Sequence, residues 1–122
     1  MNDLCTTFRQ AIEGRDVDAA VRLFSDDVRF FSPVVHKPYV GHEPLRVILG
    51  GVMQVFEDFR YTSSYSGEDG HVLGFAARVG DRQLQGVDIL SVSGGVLTEL
   101  AVMVRPYSAV TALRERMAAL LP

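Results

Sequence analysis

Residues 82–105 read RQLQGVDILSVSGGVLTELAVMVR, two alternating runs interrupted by Ser93-Gly94-Gly95. In a strand, side chains alternate between faces with a period of two. Leu84, Gly86, Asp88, Leu90 and Val92 therefore share one side of the first run, and Gln83, Gln85, Val87, Ile89 and Ser91 the other. In the second run Leu100, Val102 and Val104 oppose Glu99, Ala101, Met103 and Arg105. Glycines between such runs mark a hairpin turn. The mostly apolar Leu84–Val92 set belongs against a core, so Asp88 is predicted to point inward. A buried carboxylate is costly unless it is paired, hydrogen-bonded or protonated. Gly86 on the same face removes a side chain, which predicts space beside Asp88 and hence a pocket.

The two-residue period extends upstream to Phe59. It predicts further strands over about 58–66 and 71–79, joined at Gly67-Glu68-Asp69-Gly70 and followed by a turn at Gly80-Asp81. Before Phe59 the period is helical. Leu4, Phe8, Ala11 and Ile12 predict a helix over 3–13, with Gly14 as its C-cap. Asp16 caps a second helix whose apolar face is Val17, Ala20, Val21 and Phe24, and Ser25-Asp26-Asp27 breaks it. Val28–Ser32 reads as a strand stopped by Pro33. Residues 32–41, with two prolines and a final glycine, form a loop with a short strand around Tyr39. Glu43-Pro44 opens a third helix with Leu45, Ile48, Leu49, Val52, Met53 and Phe56 on one face. Gly50-Gly51 inside it is read as allowing close packing. A last helix over about 108–120 carries Val110, Leu113, Met117, Leu120 and Leu121 on its apolar side. Helices set against an antiparallel meander define an α+β fold.

A chain of 122 residues suits one domain, spanning 1–122, and 48% hydrophobic residues suffice for a core. A net charge of -3 without clustered basic residues argues against nucleic acid as a partner. Cys5 is the single cysteine, and His36, His42 and His71 lack ligand-like spacing, so neither a disulfide nor a four-ligand zinc site is expected. The start MNDLCTTFRQ lacks the pattern of a signal peptide, and no apolar run approaches the roughly 18 residues of a membrane span. The expectation is a cytoplasmic protein that does not enter membranes. Nucleotide, flavin and hydrolase-elbow motifs are missing, so no cofactor is expected.

The stretches FRQAIEGRDVDAAVRLFSDDVRFFSP, YVGHEPLRVIL and GVDILSVSGGVLTEL together resemble the nuclear transport factor 2-like superfamily, in its SnoaL-like branch. The resemblance implies a cone: a strongly curved antiparallel sheet wrapped around the N-terminal helices and enclosing a cavity. It also implies homodimers through the outer face of the sheet. That face carries Val87, Ile89, Ala101 and Met103, apolar enough to suggest a covering partner on its own account.

Ketosteroid isomerase, a member of the superfamily, combines a tyrosine and a protonated aspartic acid as oxyanion hole with a second aspartate as base. Asp88 matches the protonated acid, but Phe8 stands at the tyrosine position and Ser32 at the base position. Limonene epoxide hydrolase needs an Asp-Arg-Asp set, and here Val102 and Gly86 replace the second acid and the arginine. The SnoaL-type cyclases, which use one inward aspartate, are the closest chemical analogy.

The residues and the resemblance together point to a binding protein or enzyme with a small apolar molecule in the cone; for an enzyme, cofactor-free isomerisation, cyclisation or hydration is the chemistry that fits. Asp88 is the candidate acid/base and His36, in the loop at the mouth, a candidate proton-transfer partner. Tyr39 at the mouth, Tyr61 and Tyr65 on one face of the first meander strand, and Phe30 and Leu90 are the candidate ligand contacts, with core packing as the alternative for the aromatics. The other reading is a non-catalytic dimerisation or interaction module whose cavity is filled by its own side chains.

Overall fold

The computed structural model describes residues 3–120. The elements follow in the order α1 Asp3–Glu13, α2 Val17–Val21, β1 Phe24–Phe31, β2 Tyr39–Val40, α3 His42–Val55, β3 Glu57–Ser66, β4 Gly70–Val79, β5 Arg82–Ser93, β6 Val96–Arg105 and α4 Tyr107–Leu120. Leu121, expected on the last helix, lies outside the described residues. The six strands make one curved sheet in the order β2-β1-β6-β5-β4-β3. The fold is α+β, with the helices packed on the concave side.

The meander from β3 to β6 is antiparallel, as the turn residues require. The sheet as a whole is mixed, because β1 lies parallel to β6 through Phe30↔Leu100 and Phe31↔Ala101. This corrects the expectation of a purely antiparallel sheet. The chain comes back beside β1 only after β2, α3 and three more strands, so β6 enters the sheet between β1 and β5 and runs in the same direction as β1 without a hairpin.

Inward residues follow the alternation. Leu84, Asp88 and Leu90 on β5 are buried, as are Leu73, Phe75, Ala77 and Val79 on β4 and Leu97 and Leu100 on β6. One group of core residues gathers Phe8, Phe24, Val28, Phe30, Leu45, Leu73, Leu90 and Leu100 beneath α1 to α3. A second joins Val55, Phe56, Phe75, Leu84, Ala109 and Leu113 beneath α4. Burying such side chains contributes about 1.5–3 kcal/mol each before the entropy of ordering is counted.

Three local readings change. The second helix ends at Val21, so Phe24 and Ser25-Asp26-Asp27 belong to β1, with an irregular register between Phe24 and Arg29. Phe24 still faces the core, where its ring meets Phe8 edge-on at 5.8 Å. At the end of α1 the left-handed residue is Arg15, at φ 58, and not Gly14. In α3 the two glycines differ: a Cβ on Gly51 would lie 2.9 Å from Met117 Cε, whereas Gly50 has nothing within 4 Å. Gly51 alone admits α4.

Candidate functional site

The helices and the sheet enclose a cavity of about 300 Å³. Its walls are apolar, formed by residues such as Phe8, Ile48, Val52, Phe59, Leu100 and Val102. Asp88 opens into it from the middle of β5, opposite Leu73 on one neighbouring strand and Val102 on the other. It is one of two buried polar side chains among the described residues, at 8% exposure. Tyr61 Oη donates a hydrogen bond of 2.8 Å to Asp88 Oδ2.

The electrostatics follow from that setting. Burial away from water disfavours the carboxylate and pushes Asp88 from its ordinary value of 3.8 up to about 7; the Tyr61 hydrogen bond, which favours the ionised form, works against the rise. Tyr61 is pushed upward, first by burial and then by the adjacent Asp88 charge, so its phenol keeps its proton. Arg9 lies over the Tyr61 ring at 5.5 Å from the centroid and also pairs with Glu13 at 3.5 Å. A carboxyl that titrates near neutrality inside an apolar chamber can both give and take a proton.

Gly86 does not leave the space expected of it. A Cβ there would stand 2.4 Å from Phe75 Cζ and 2.5 Å from the Met103 carbonyl oxygen. The missing side chain is replaced by the Phe75 ring from the facing strand. The cavity onto which Asp88 faces is instead bounded by side chains of the helices, the 32–39 loop and the sheet.

Tyr65 is corrected by a bulge. The pairing shifts between Tyr61 and Ser63, where Tyr61 faces Phe75 but Ser63 faces Gly74. The extra residue reverses the faces beyond it. Tyr65 then pairs with Val72 on the outer side and is 64% exposed, away from the cavity. Ser64 and Ser66, themselves exposed, take the face of the buried His71 in its place and hold the ring: Ser64 Oγ lies 2.5 Å from Nε2 and Ser66 Oγ 3.1 Å from Nδ1. Burial lowers the pKa of His71.

Phe30 and Tyr39 both line the cavity, with ring centroids 6.3 Å apart. Leu90 is fully buried in the core and is not a lining residue. His36 is exposed, lies outside the lining residues and makes no hydrogen bond to Asp88, although its neighbours Val34 and Val35 do line the mouth. Ser32 also lines the cavity, but its hydroxyl is engaged by the loop: Oγ accepts from the amides of Val34 at 3.2 Å and Val35 at 2.9 Å. It organises the mouth. Arg15 and Arg114 complete the lining and were not anticipated. They come from the α1–α2 turn and from α4, which no local pattern connects.

No group of three or more metal-ligating side chains occurs among the described residues, and no helix is long and apolar enough to cross a membrane.

The model of the SnoaL-like domain family matches residues 6–100, and the chain belongs to that family. A solved structure of an uncharacterised protein conserved in bacteria, with a cystatin-like fold, from Silicibacter pomeroyi DSS-3 shares 32% identity. It aligns over 98% of this chain and 85% of its own with a TM-score of 0.92. A steroid delta-isomerase from Pseudomonas aeruginosa is 38% identical over 95% of this chain and 87% of its own, with a TM-score of 0.90. A hypothetical protein with a ketosteroid isomerase-like fold from Catenulispora acidiphila DSM 44928, in complex with trimethylamine, shares the fold at 16% identity. It covers 100% of this chain and 99% of its own, with a TM-score of 0.70. No curated protein matches the sequence.

Proposed function

We propose that the protein binds a small, largely apolar molecule in the cavity and catalyses a cofactor-free proton transfer on it through Asp88. The observation that carries this reading is the placement of Asp88, a carboxyl with a pKa pushed up to about 7, on the wall of an apolar chamber. In its ionised form Asp88 accepts a proton from an acidified C–H of the bound molecule, with Tyr61 holding Oδ2 through its hydrogen bond. The protonated acid then returns the proton: to a different carbon of the delocalised anion in an isomerisation, or to the oxygen of an internal carbonyl whose π bond the carbanion has replaced with a C–C bond in a cyclisation; in a hydration Asp88 takes the proton from a water whose oxygen adds to a conjugated double bond, and returns it to the neighbouring carbon. This chemistry moves protons and asks for no metal or redox cofactor.

The similarity to a steroid delta-isomerase supports isomerisation as the first reaction to assay. A two-carboxylate division of labour is not available, because Ser32 occupies the mouth of the cavity and its hydroxyl serves the loop. One acid must act as both base and acid, so the rate should follow a single ionisation near neutrality.

The experiment is a substrate screen starting with steroid delta-isomerisation and extending to other apolar carbonyl compounds, with wild type and Asp88→Asn in parallel. The expected result is turnover that falls by about 10²–10⁴-fold in the variant while its circular dichroism is unchanged. Undiminished turnover in Asp88→Asn would remove Asp88 from the chemistry.

A second role belongs to the outer sheet face. Met103 is 60% exposed there, beside the partly exposed Val87, Ile89 and Ala101, and we propose that a second copy of the chain covers it. Sedimentation of the wild type as a monomer at micromolar concentration would refute this. A reducing, cytoplasmic setting suits the buried free thiol of Cys5.

A further inference from the structure

We infer that the molecule bound in the cavity carries an anionic end group, a carboxylate or its like, which Arg15 and Arg114 hold at the mouth while the apolar body reaches in toward Asp88. This rests on the reading of the cavity as a ligand site and adds the chemical class of the ligand. Three charged side chains line the cavity: Asp88 on the sheet, and Arg15 and Arg114 on the helical side. Both arginines are exposed, whereas Asp88 is buried, so charge is layered from rim to floor.

The pairing of the arginines separates these two from many of the others. Arg9, Arg29, Arg46, Arg78 and Arg82 each face a carboxylate. Arg15 and Arg114 face none among the described residues. Arg15 Nη2 donates to the Met53 carbonyl at 2.5 Å, capping the last turn of α3, and Met53 itself lines the cavity. That contact pins the guanidinium at the rim. Of its five N–H donors it occupies one. Arg15 also sits at φ 58, where glycine or asparagine would be held at lower cost.

The chamber excludes an ion from its interior, because an unpaired charge among apolar walls loses its hydration. At the rim the same ion keeps water and can meet the guanidinium groups of these arginines, whose donor forks suit oxyanions. The ligand that fits is a hydrophobic mono-anion with its charge at one end.

Two probes with one ring skeleton test this: 1-anilinonaphthalene-8-sulfonate, which carries the charge, and N-phenyl-1-naphthylamine, which does not. Each is titrated against wild type, Arg114→Gln, and Arg15→Gln/Arg114→Gln, with thermal unfolding as the check on folding. The expected result is mutual displacement of the probes. Each arginine lost should weaken the sulfonate about fivefold, while the neutral probe is unchanged. Added salt should weaken the sulfonate alone. Sulfonate affinity that is equal in all three proteins would overturn the inference and leave the ligand cavity standing. Equal weakening of both probes would also overturn it, since the arginines would then act on shape. Failure of both probes to bind wild type would refute the cavity reading itself, and the inference with it.

Discussion

Replacing Asp88 by Asn should make the protein more stable at pH 8 than the wild type, and by an amount that shrinks as the pH falls. In the folded chain Asp88 titrates at about 7, against an ordinary value of 3.8. Between those values the native state retains a proton that the unfolded chain has released. Stability therefore falls as pH rises through that window, by up to about 1.4 kcal/mol per pH unit. Below it both states are protonated and the stability is fully present; above about 7 both are ionised and the loss is complete. The gap corresponds to a ceiling of about 4 kcal/mol, a large part of the 5–15 kcal/mol typical of a folded domain. Asparagine keeps the shape and stays neutral, so the variant lacks this dependence, while every other titrating group is common to both proteins. The assay is urea unfolding followed by circular dichroism at pH 4.5, 6, 7 and 8, at one protein concentration. The difference between the two proteins should be small at pH 4.5 and reach several kcal/mol at pH 8. A difference that is constant across the series would refute the buried, near-neutral titration of Asp88.

Tyr61→Phe removes the hydrogen bond that favours the carboxylate, so Asp88 should titrate higher still; a carbon-13 titration of its carboxyl group that moved downward would contradict this. Gly86→Ala forces a methyl group onto the Phe75 ring and the Met103 carbonyl, and should cost about 2–3 kcal/mol in urea unfolding, with an unchanged midpoint as the opposing result. Gly50→Ala meets nothing within 4 Å and gains helix propensity, so it should stabilise by up to about 1 kcal/mol, whereas a loss of stability would mean that Gly50 is packed.

Much of this architecture is readable from residue order. A period of two from Phe59 onward and glycines at each turn specify the four-strand meander, and the same alternation turns Asp88 inward. Helical spacing over residues 3–21 and around Leu45–Val55 places the helices that cover it. These are local signals, set by backbone geometry and the burial of one face, and each spans only a few residues. The resemblance of the Leu-Phe-Ser-Asp-Asp stretch to SnoaL-like proteins was legible on the same scale, and the family match over residues 6–100 bears it out.

Other features are invisible at that scale. A bulge between Tyr61 and Ser63 sends Tyr65 to solvent and brings Ser64 and Ser66 to His71, and nothing in an alternating run of polar and aromatic residues marks where one residue is inserted. The Phe75 ring fills the gap at Gly86 because a partner strand fixes which side chain arrives there. Arg15 and Arg114 line one cavity because the α1–α2 turn and α4, far apart in the chain, both border it. The sequence by itself determined the elements, the inward acid and the apolar interior, since these depend on repeats along one segment. Only the tertiary structure decided how the acid is paired, where the cavity opens and which charges guard it, because those depend on contacts between segments that no repeat encodes.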